Sequence, residues 1–327
     1  MNFKRILKQI LKGFLIILAI FILLMLTPRV IGYLFPGKAP IGYHYEILDY
    51  LAIGVGLEKL VNLEPEVPST IEEIKDIEYK NTDGKSLQLD IYKPKNLTEK
   101  APLLVFIHGG GWRSGKRQDY LVYLIDYAEK GFITATVSYR LKKDSIYPAA
   151  VEDVMDAVDF IFKNGDTYGY DTTRIAVVGG SAGAHLSLMA AYQWENPRAS
   201  GNRPKHRIKA VVDIYGPVDM TTPYAQTQYM VTDFIGHPYT EKPELYWEAS
   251  PAKYLNKDLP PTLILQGTSD NLLPPSQSDT LHARLERLGV PSVYHRLPLW
   301  PHAMDVAVRP NVYMQKKMDE FFEEYLK

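Results

Sequence analysis

The spacing of apolar side chains changes period repeatedly along the chain, and those changes predict most of its architecture. Residues 74–80 and 86–92 alternate between apolar and polar side chains with Asn81 to Gly84 between them, the pattern of a β-hairpin. Residues 103–107 (Leu-Leu-Val-Phe-Ile) are apolar without a break, which predicts a strand buried on both faces. Similar runs recur at 132–137, 175–178, 210–214 and 262–265, and a last strand is expected at 292–297. Between them lie stretches of helical texture at 120–130, 149–162, 184–192, 276–288 and 312–326. In the second of these, Val151, Val154, Val158 and Ile161 fall on one stripe. Buried strands alternating with helices predict a mostly parallel α/β sheet with helices on both faces. Ligands in such sheets bind beyond the carboxyl ends of the strands, so the chemistry is expected in loops that follow strand ends.

The amino terminus departs from this texture. Lys4, Arg5, Lys8 and Lys12 precede an uncharged run from Gly13 to Thr27, within which residues 14–26 are all apolar. Basic flank and apolar run together predict a signal-anchor over residues 1–28. It is expected to stay uncleaved, because Thr27, Pro28 and Arg29 follow in place of a small-x-small cleavage site. A cleaved secretory signal and an interfacial helix are the alternatives. The basic flank should remain cytoplasmic, which puts everything after Arg29 outside the membrane. Residues 29–70 contain several Pro and Gly and an apolar patch at 47–63, and are expected to form a linker, a stalk or a cap-like pair of short helices. The main domain is expected over 71–327.

Composition narrows the function classes. With 327 residues, 46% apolar and 23% charged, the chain can bury a large core. A net charge of −1 and the lack of any basic block beyond the first few residues give no footprint for nucleic acid. The sequence holds no cysteine, which excludes disulfides, thiolate metal sites and a cysteine nucleophile.

Four expected strand ends carry candidate chemistry. Gly179-Gly180-Ser181-Ala182-Gly183 follows the strand at 175–178 and has the form Gly-x-Ser-x-Gly, in which small residues allow a sharp strand-to-helix turn and an exposed hydroxyl. His108-Gly109-Gly110-Gly111-Trp112 follows the strand at 103–107, Asp270 follows the strand at 262–265, and His302 follows the last strand. A serine hydroxyl is a poor nucleophile unless an imidazole takes its proton, and the imidazole needs a carboxylate to hold its tautomer. Asp213, Asp219, Asp279 and Asp305 are rivals for the acid. Of these acids only Asp270 comes just after a buried strand and before the histidine. His282 is expected on a helix, His295 within a strand and His185 in helix packing, which leaves His302 as the base. Arg140 and Asp153 read as a structural ion pair.

The order Ser, Asp, His is that of the α/β-hydrolases, and the resemblance extends to longer motifs. The chain resembles the hormone-sensitive-lipase-like and acetyl-xylan/feruloyl-esterase-like group of that fold. It does so in His108–Trp112, in Ser138-Tyr-Arg-Leu141, in Tyr147-Pro-Ala-Ala-Val-Glu-Asp153, in Gly179–Gly183 and in residues 244–251. The resemblance runs from about residue 74 to the carboxyl end. Gly180 stands where the lipase-like branch carries an acid, which points to the esterase-like branch, and Pro301 stands where the family has a glycine before its catalytic histidine. The resemblance implies an eight-stranded α/β-hydrolase sheet and a serine carboxylic-ester hydrolase acting through an acyl-enzyme on small or carbohydrate-linked esters of acetyl or feruloyl type. It implies a triad of Ser181, Asp270 and His302, an oxyanion hole of the Gly110, Gly111 and Ala182 N–H groups, and no need of a metal or cofactor. Trp112 and Trp300 flank the triad loops and are expected to line the same cleft. Residues 216–250 form a long insertion, expected to act as a lid or pocket wall. Expected partners are the ester substrate and, through the N-terminal helix, a membrane. Two other readings remain open: an exopeptidase or amidase on the same fold, which needs a charged anchor for a free amine, and a catalytically inactive binding module.

Overall fold

The hairpin lies at one edge of the sheet. In the computed structural model, which describes residues 3–43, 45–82, 84–193 and 208–327, β1 (Ile71–Thr82) pairs antiparallel with β2 (Lys85–Pro94). Asp83, in the expected turn, and the side chain of Lys4 lie outside the described residues. The remaining strands are β3 (Ala101–Ile107), β4 (Ile133–Val137), β5 (Tyr170–Gly180), β6 (Ala210–Ile214), β7 (Thr262–Gly267) and β8 (Ser292–Leu297). The eight strands are ordered β1-β2-β4-β3-β5-β6-β7-β8. β2 pairs antiparallel with β4, and every later pairing is parallel. The sheet is therefore mixed but mostly parallel, the α/β-hydrolase arrangement.

Alternation along β3 explains why its whole run is apolar. Leu103, Val105 and Ile107 enter one core, while Leu104 and Phe106 enter the other. Helices Ala149–Lys163, Ala182–Gln193 and Ser276–Leu288 cover the first face; Leu121–Glu129 and Val308–Leu326 cover the second. Two element starts lie well ahead of the sequence expectation. β5 begins at Tyr170 because that ring is wholly buried and its residue pairs with Ala101. The last helix begins at Val308, since Pro310 falls in its first turn, where a missing N–H leaves no intrahelical bond unmade.

Arg140 and Asp153 do form an ion pair. The guanidinium meets both carboxylate oxygens at 2.8 Å, and Lys80 Nζ adds a third link at 2.7 Å, so β1, the loop after β4 and the helix Ala149–Lys163 are joined through one fully buried carboxylate.

The N-terminal helix runs from Phe3 to Leu34, through Pro28. It is long and apolar enough to cross a membrane, and a signal sequence would pass the same test. The residues after it lie along the domain. Gly42 N–H donates to Pro298 O at 2.8 Å, Val61 N–H to Val306 O at 2.9 Å and Val308 N–H to Lys59 O at 2.8 Å, around a bridge between Leu60 and Ala307. Arg309 gathers the rest: Nε donates to Glu58 Oε2 at 2.6 Å, and Nη1 to the carbonyls of Ile41 and Pro28 at 3.0 and 3.3 Å.

Candidate active site

Ser181 closes β5 and opens the helix Ala182–Gln193 with a left-handed φ of 56°. A non-glycine residue holds that conformation only where its surroundings fix it. Here strand and helix approach more closely than side chains allow. A Cβ on Gly179 would lie 2.3 Å from the Gly183 carbonyl carbon, and one on Gly183 would lie 2.0 Å from Ile107 O. Gly180 has a separate cause, because a Cβ there would lie 2.3 Å from the Tyr120 hydroxyl and 3.2 Å from that of Tyr215. The tyrosines, rather than the turn itself, crowd the position before the serine.

His302 Nε2 is 3.0 Å from Ser181 Oγ, and His302 Nδ1 is 2.8 Å from Asp270 Oδ2. With a carboxylate as its acceptor Nδ1 carries the proton, so the Nε2 lone pair faces the hydroxyl. The Asp270 carboxylate is buried and compensated by donors. Oδ1 accepts the N–H groups of Leu272 and Leu273 at 2.9 and 2.7 Å, and Oδ2 accepts Gln266 Nε2 at 3.2 Å. The acid and base loops are stitched together: Ser269 N–H donates to Trp300 O at 3.0 Å, and Leu299 N–H to Thr268 Oγ1 at 2.8 Å. None of these links needs an N–H at residue 301, so Pro301 is accommodated.

Gly110 and Gly111 take left-handed φ values of 101° and 59° in the loop beside Ser181. Among the described residues, the N–H groups of Gly110, Gly111 and Ala182 have no acceptor within the chain. His108 braces this loop. It is buried, stacks on Tyr139 with centroids 4.4 Å apart, and has its pKa lowered by burial. His185 lies beneath, with Nδ1 accepting Trp112 Nε1–H at 3.3 Å and Nε2 donating to Ala249 O at 2.7 Å. Burial lowers it to about 4, a neutral packing residue.

A cavity of about 460 Å³ opens over Ser181 and His302, with Trp112, Tyr229, Met230, Leu272 and Leu273 among its walls. Trp112 is in this wall, held flat against Phe234 at 4.4 Å. Trp300 is elsewhere. The left-handed turn at Leu299 precedes it, and its ring joins the core of the second sheet face. There Nε1 donates to Pro40 O at 2.9 Å under the Arg309 guanidinium, so Trp300 holds the N-terminal segment and lines no part of the cleft.

The insertion at 216–250 folds into three short helices, Pro223–Thr227, Tyr229–Ile235 and Pro243–Glu248. Phe234 and Tyr246 are buried packing residues, while Tyr229 and Met230 reach the cleft. Tyr224 Oη donates to the carbonyls of Asn271 and Leu272 and so ties the insertion to the acid loop.

The rival acids are engaged otherwise. Asp213 accepts Gly216 N–H at 2.8 Å inside the sheet, where burial pushes its carboxyl up to about 7. Asp279 accepts Tyr294 Oη–H at 2.8 Å, and Asp305 accepts that of Tyr215. Tyr215 is a site neighbour that the motifs did not mark: its ring centroid lies 4.6 Å from that of His302. The signal was its place directly after β6, the rule that marked the other loops. Among the described residues no group of three or more His, Asp or Glu is arranged to hold a metal ion.

A sheet of this order, with serine, carboxylate and histidine on the loops after β5, β7 and β8 at its carboxyl edge, defines an α/β-hydrolase. Similarity to known proteins narrows the class. The chain belongs to the BD-FAE family, whose model matches residues 89–285. The esterase LipQ of Mycobacterium tuberculosis is 31% identical over 236 residues, 68% of this chain and 56% of that protein. The probable carboxylic ester hydrolase LipM of the same organism is 32% identical over 234 residues, 68% of this chain and 54% of that protein. The chain thus spans about half the length of the curated relatives it matches. A solved truncated form of a carbohydrate esterase from gut microbiota shares the fold with a TM-score of 0.68 at 24% identity, covering 80% of this chain and 99% of that one.

Proposed function

We propose that this chain is a serine carboxylesterase that hydrolyses small or carbohydrate-linked esters, with Ser181 as nucleophile, His302 as base and Asp270 as the acid that orients it. The observation that carries the reading is the continuous relay from Ser181 Oγ through His302 to Asp270, at a cavity that Gly110 and Gly111 also line. His302 Nε2 takes the hydroxyl proton as Oγ bonds to the ester carbonyl carbon, and the oxyanion is held by the N–H groups of Gly110, Gly111 and Ala182. His302 then gives that proton to the leaving alkoxide oxygen, and the C–O bond breaks to leave an acyl-serine. Water attacks the acyl carbon as His302 takes one of its protons, and collapse releases the acid and restores Ser181.

A carbohydrate-linked substrate is supported by the family and by the carbohydrate esterase that shares the fold. The N-terminal helix is read as an uncleaved anchor with the hydrolase domain outside the membrane, and residues 216–250 as a lid-like wall. Labelling of Ser181 by a fluorophosphonate probe, and its loss in Ser181→Ala, tests the chemistry; folded protein that fails to label overturns it. Retention in membranes after an alkaline wash tests the anchor, and release into the wash overturns it.

A further inference from the structure

The short helix Glu46–Gly54 and the residue after it expose the side chains that a surface helix ordinarily buries. Ile47, Tyr50, Leu51 and Val55 recur at helical spacing and are 64%, 64%, 42% and 68% exposed. Asp49, by contrast, is turned inward and accepts Tyr43 N–H at 3.3 Å. A contiguous apolar face of this kind marks an interaction surface.

Its position indicates the partner. The helix packs on the N-terminal helix through Tyr43 and Ala52 against Met25, and Tyr43 Oη donates to Met25 O at 3.2 Å. Met25 lies one turn before Arg29, the first charge after Lys12. The charge-free residues 13–28 rise about 24 Å as a helix, most of a hydrocarbon core roughly 30 Å thick. Met25 therefore falls just inside the edge of that layer, and the short helix at its edge. Beside this level a cavity of about 450 Å³ is lined by Arg29, Lys38, Arg309 and Lys316 with Tyr33 and Phe35, the mixture that suits lipid phosphates at a membrane surface.

We propose that the exposed face of Glu46–Gly54 beds in the outer leaflet of the bilayer that the N-terminal helix spans, an inference that rests on the anchor reading. Leu60 and Leu63, 53% and 48% exposed, continue the apolar surface. It ends at a second cavity of about 590 Å³ that shares Gly110, Tyr120 and Tyr215 with the catalytic cleft. The favoured substrates are accordingly amphiphilic esters held at the membrane surface.

The cysteine-free chain allows a clean test. Full-length protein carrying Tyr50→Cys, Val55→Cys, Ile20→Cys or Glu99→Cys is labelled with an environment-sensitive nitrobenzoxadiazole. It is then reconstituted in vesicles of phosphatidylcholine and phosphatidylglycerol that carry doxyl quenchers. Labels at 50 and 55 should lose about half their emission to a shallow quencher, while the label at Glu99, exposed before β3, keeps its own. Labels at 50 and 55 that behave like the one at 99 overturn the inference. The label at Ile20, read with a deep quencher, tests the anchor separately: quenching there without quenching at 50 and 55 leaves the anchor standing and the docking refuted. Quenching at 50 and 55 without quenching at 20 removes the span and with it the outer-leaflet placement, which overturns the inference as stated.

Discussion

Strands β3 to β8 and the N-terminal segment meet at the same edge of the molecule, yet they are held by opposite means. Strands β3, β5, β6 and β7 are fixed by buried apolar side chains on both faces, distributed so that no single one decides the pairing. The N-terminal segment is held by a few polar links between residues far apart in sequence, Arg309 with Glu58 and Trp300 with Pro40. Distributed burial tolerates change and is legible in a local pattern; a polar hub is neither.

Four substitutions break or sharpen that comparison, from the largest expected effect to the smallest. At the sheet edge the fold is robust but the chemistry hangs on one hydroxyl. Ser181→Ala should lower kcat for p-nitrophenyl acetate by about 10⁴-fold or more, with the urea midpoint unchanged. Arg309→Met attacks the hub. It leaves Glu58, only 3% exposed, as a buried carboxylate without its cation, at a cost of about 3–5 kcal/mol. Urea unfolding should show that loss, proteolysis should open residues 36–68 first, and Glu58→Gln in the same chain should recover part of it. Gly180→Ala tests a close approach within the robust region. Its Cβ meets the Tyr120 hydroxyl, so Tyr120→Phe should relieve the damage with a coupling of about 1–2 kcal/mol in a double-mutant cycle.

The last test concerns Asp213, inside the sheet. Burial raises its folded value to about 7, so the folded chain keeps a proton that the unfolded chain releases near pH 4. The stability this group lends is complete below about pH 4 and is lost as pH rises through about 7. Asp213→Asn should remove that slope from the difference between the two proteins in urea melts at pH 4 to 8. An unchanged slope would place the titration elsewhere.

What could be read from the sequence follows the same division. Apolar runs marked the central strands, because a strand buried on two faces leaves an almost unbroken signal, alternation marked the edge hairpin, and the strand-end rule then picked out the loops of Ser181, Asp270 and His302. Trp300 defeated it. Proximity in sequence to His302 suggested the cleft, but the left-handed Leu299 intervenes and the ring goes to the N-terminal segment, whose course no local pattern announces. Residues 36–68 were equally opaque, since their partners lie near the far end of the chain. Tyr215 was visible as a residue but not as a neighbour of His302, because that contact joins two loops that only the sheet order brings together.

The contact between Gly180 and Tyr120 also constrains how this protein could change its chemistry. An acid before the nucleophile, as in the lipase-like branch, would here have to displace the phenol at 120, which lies 2.3 Å from where its Cβ would sit. The two positions are therefore coupled, and a library that varies 120 and 180 together samples that branch more fully than one that randomises 180 alone.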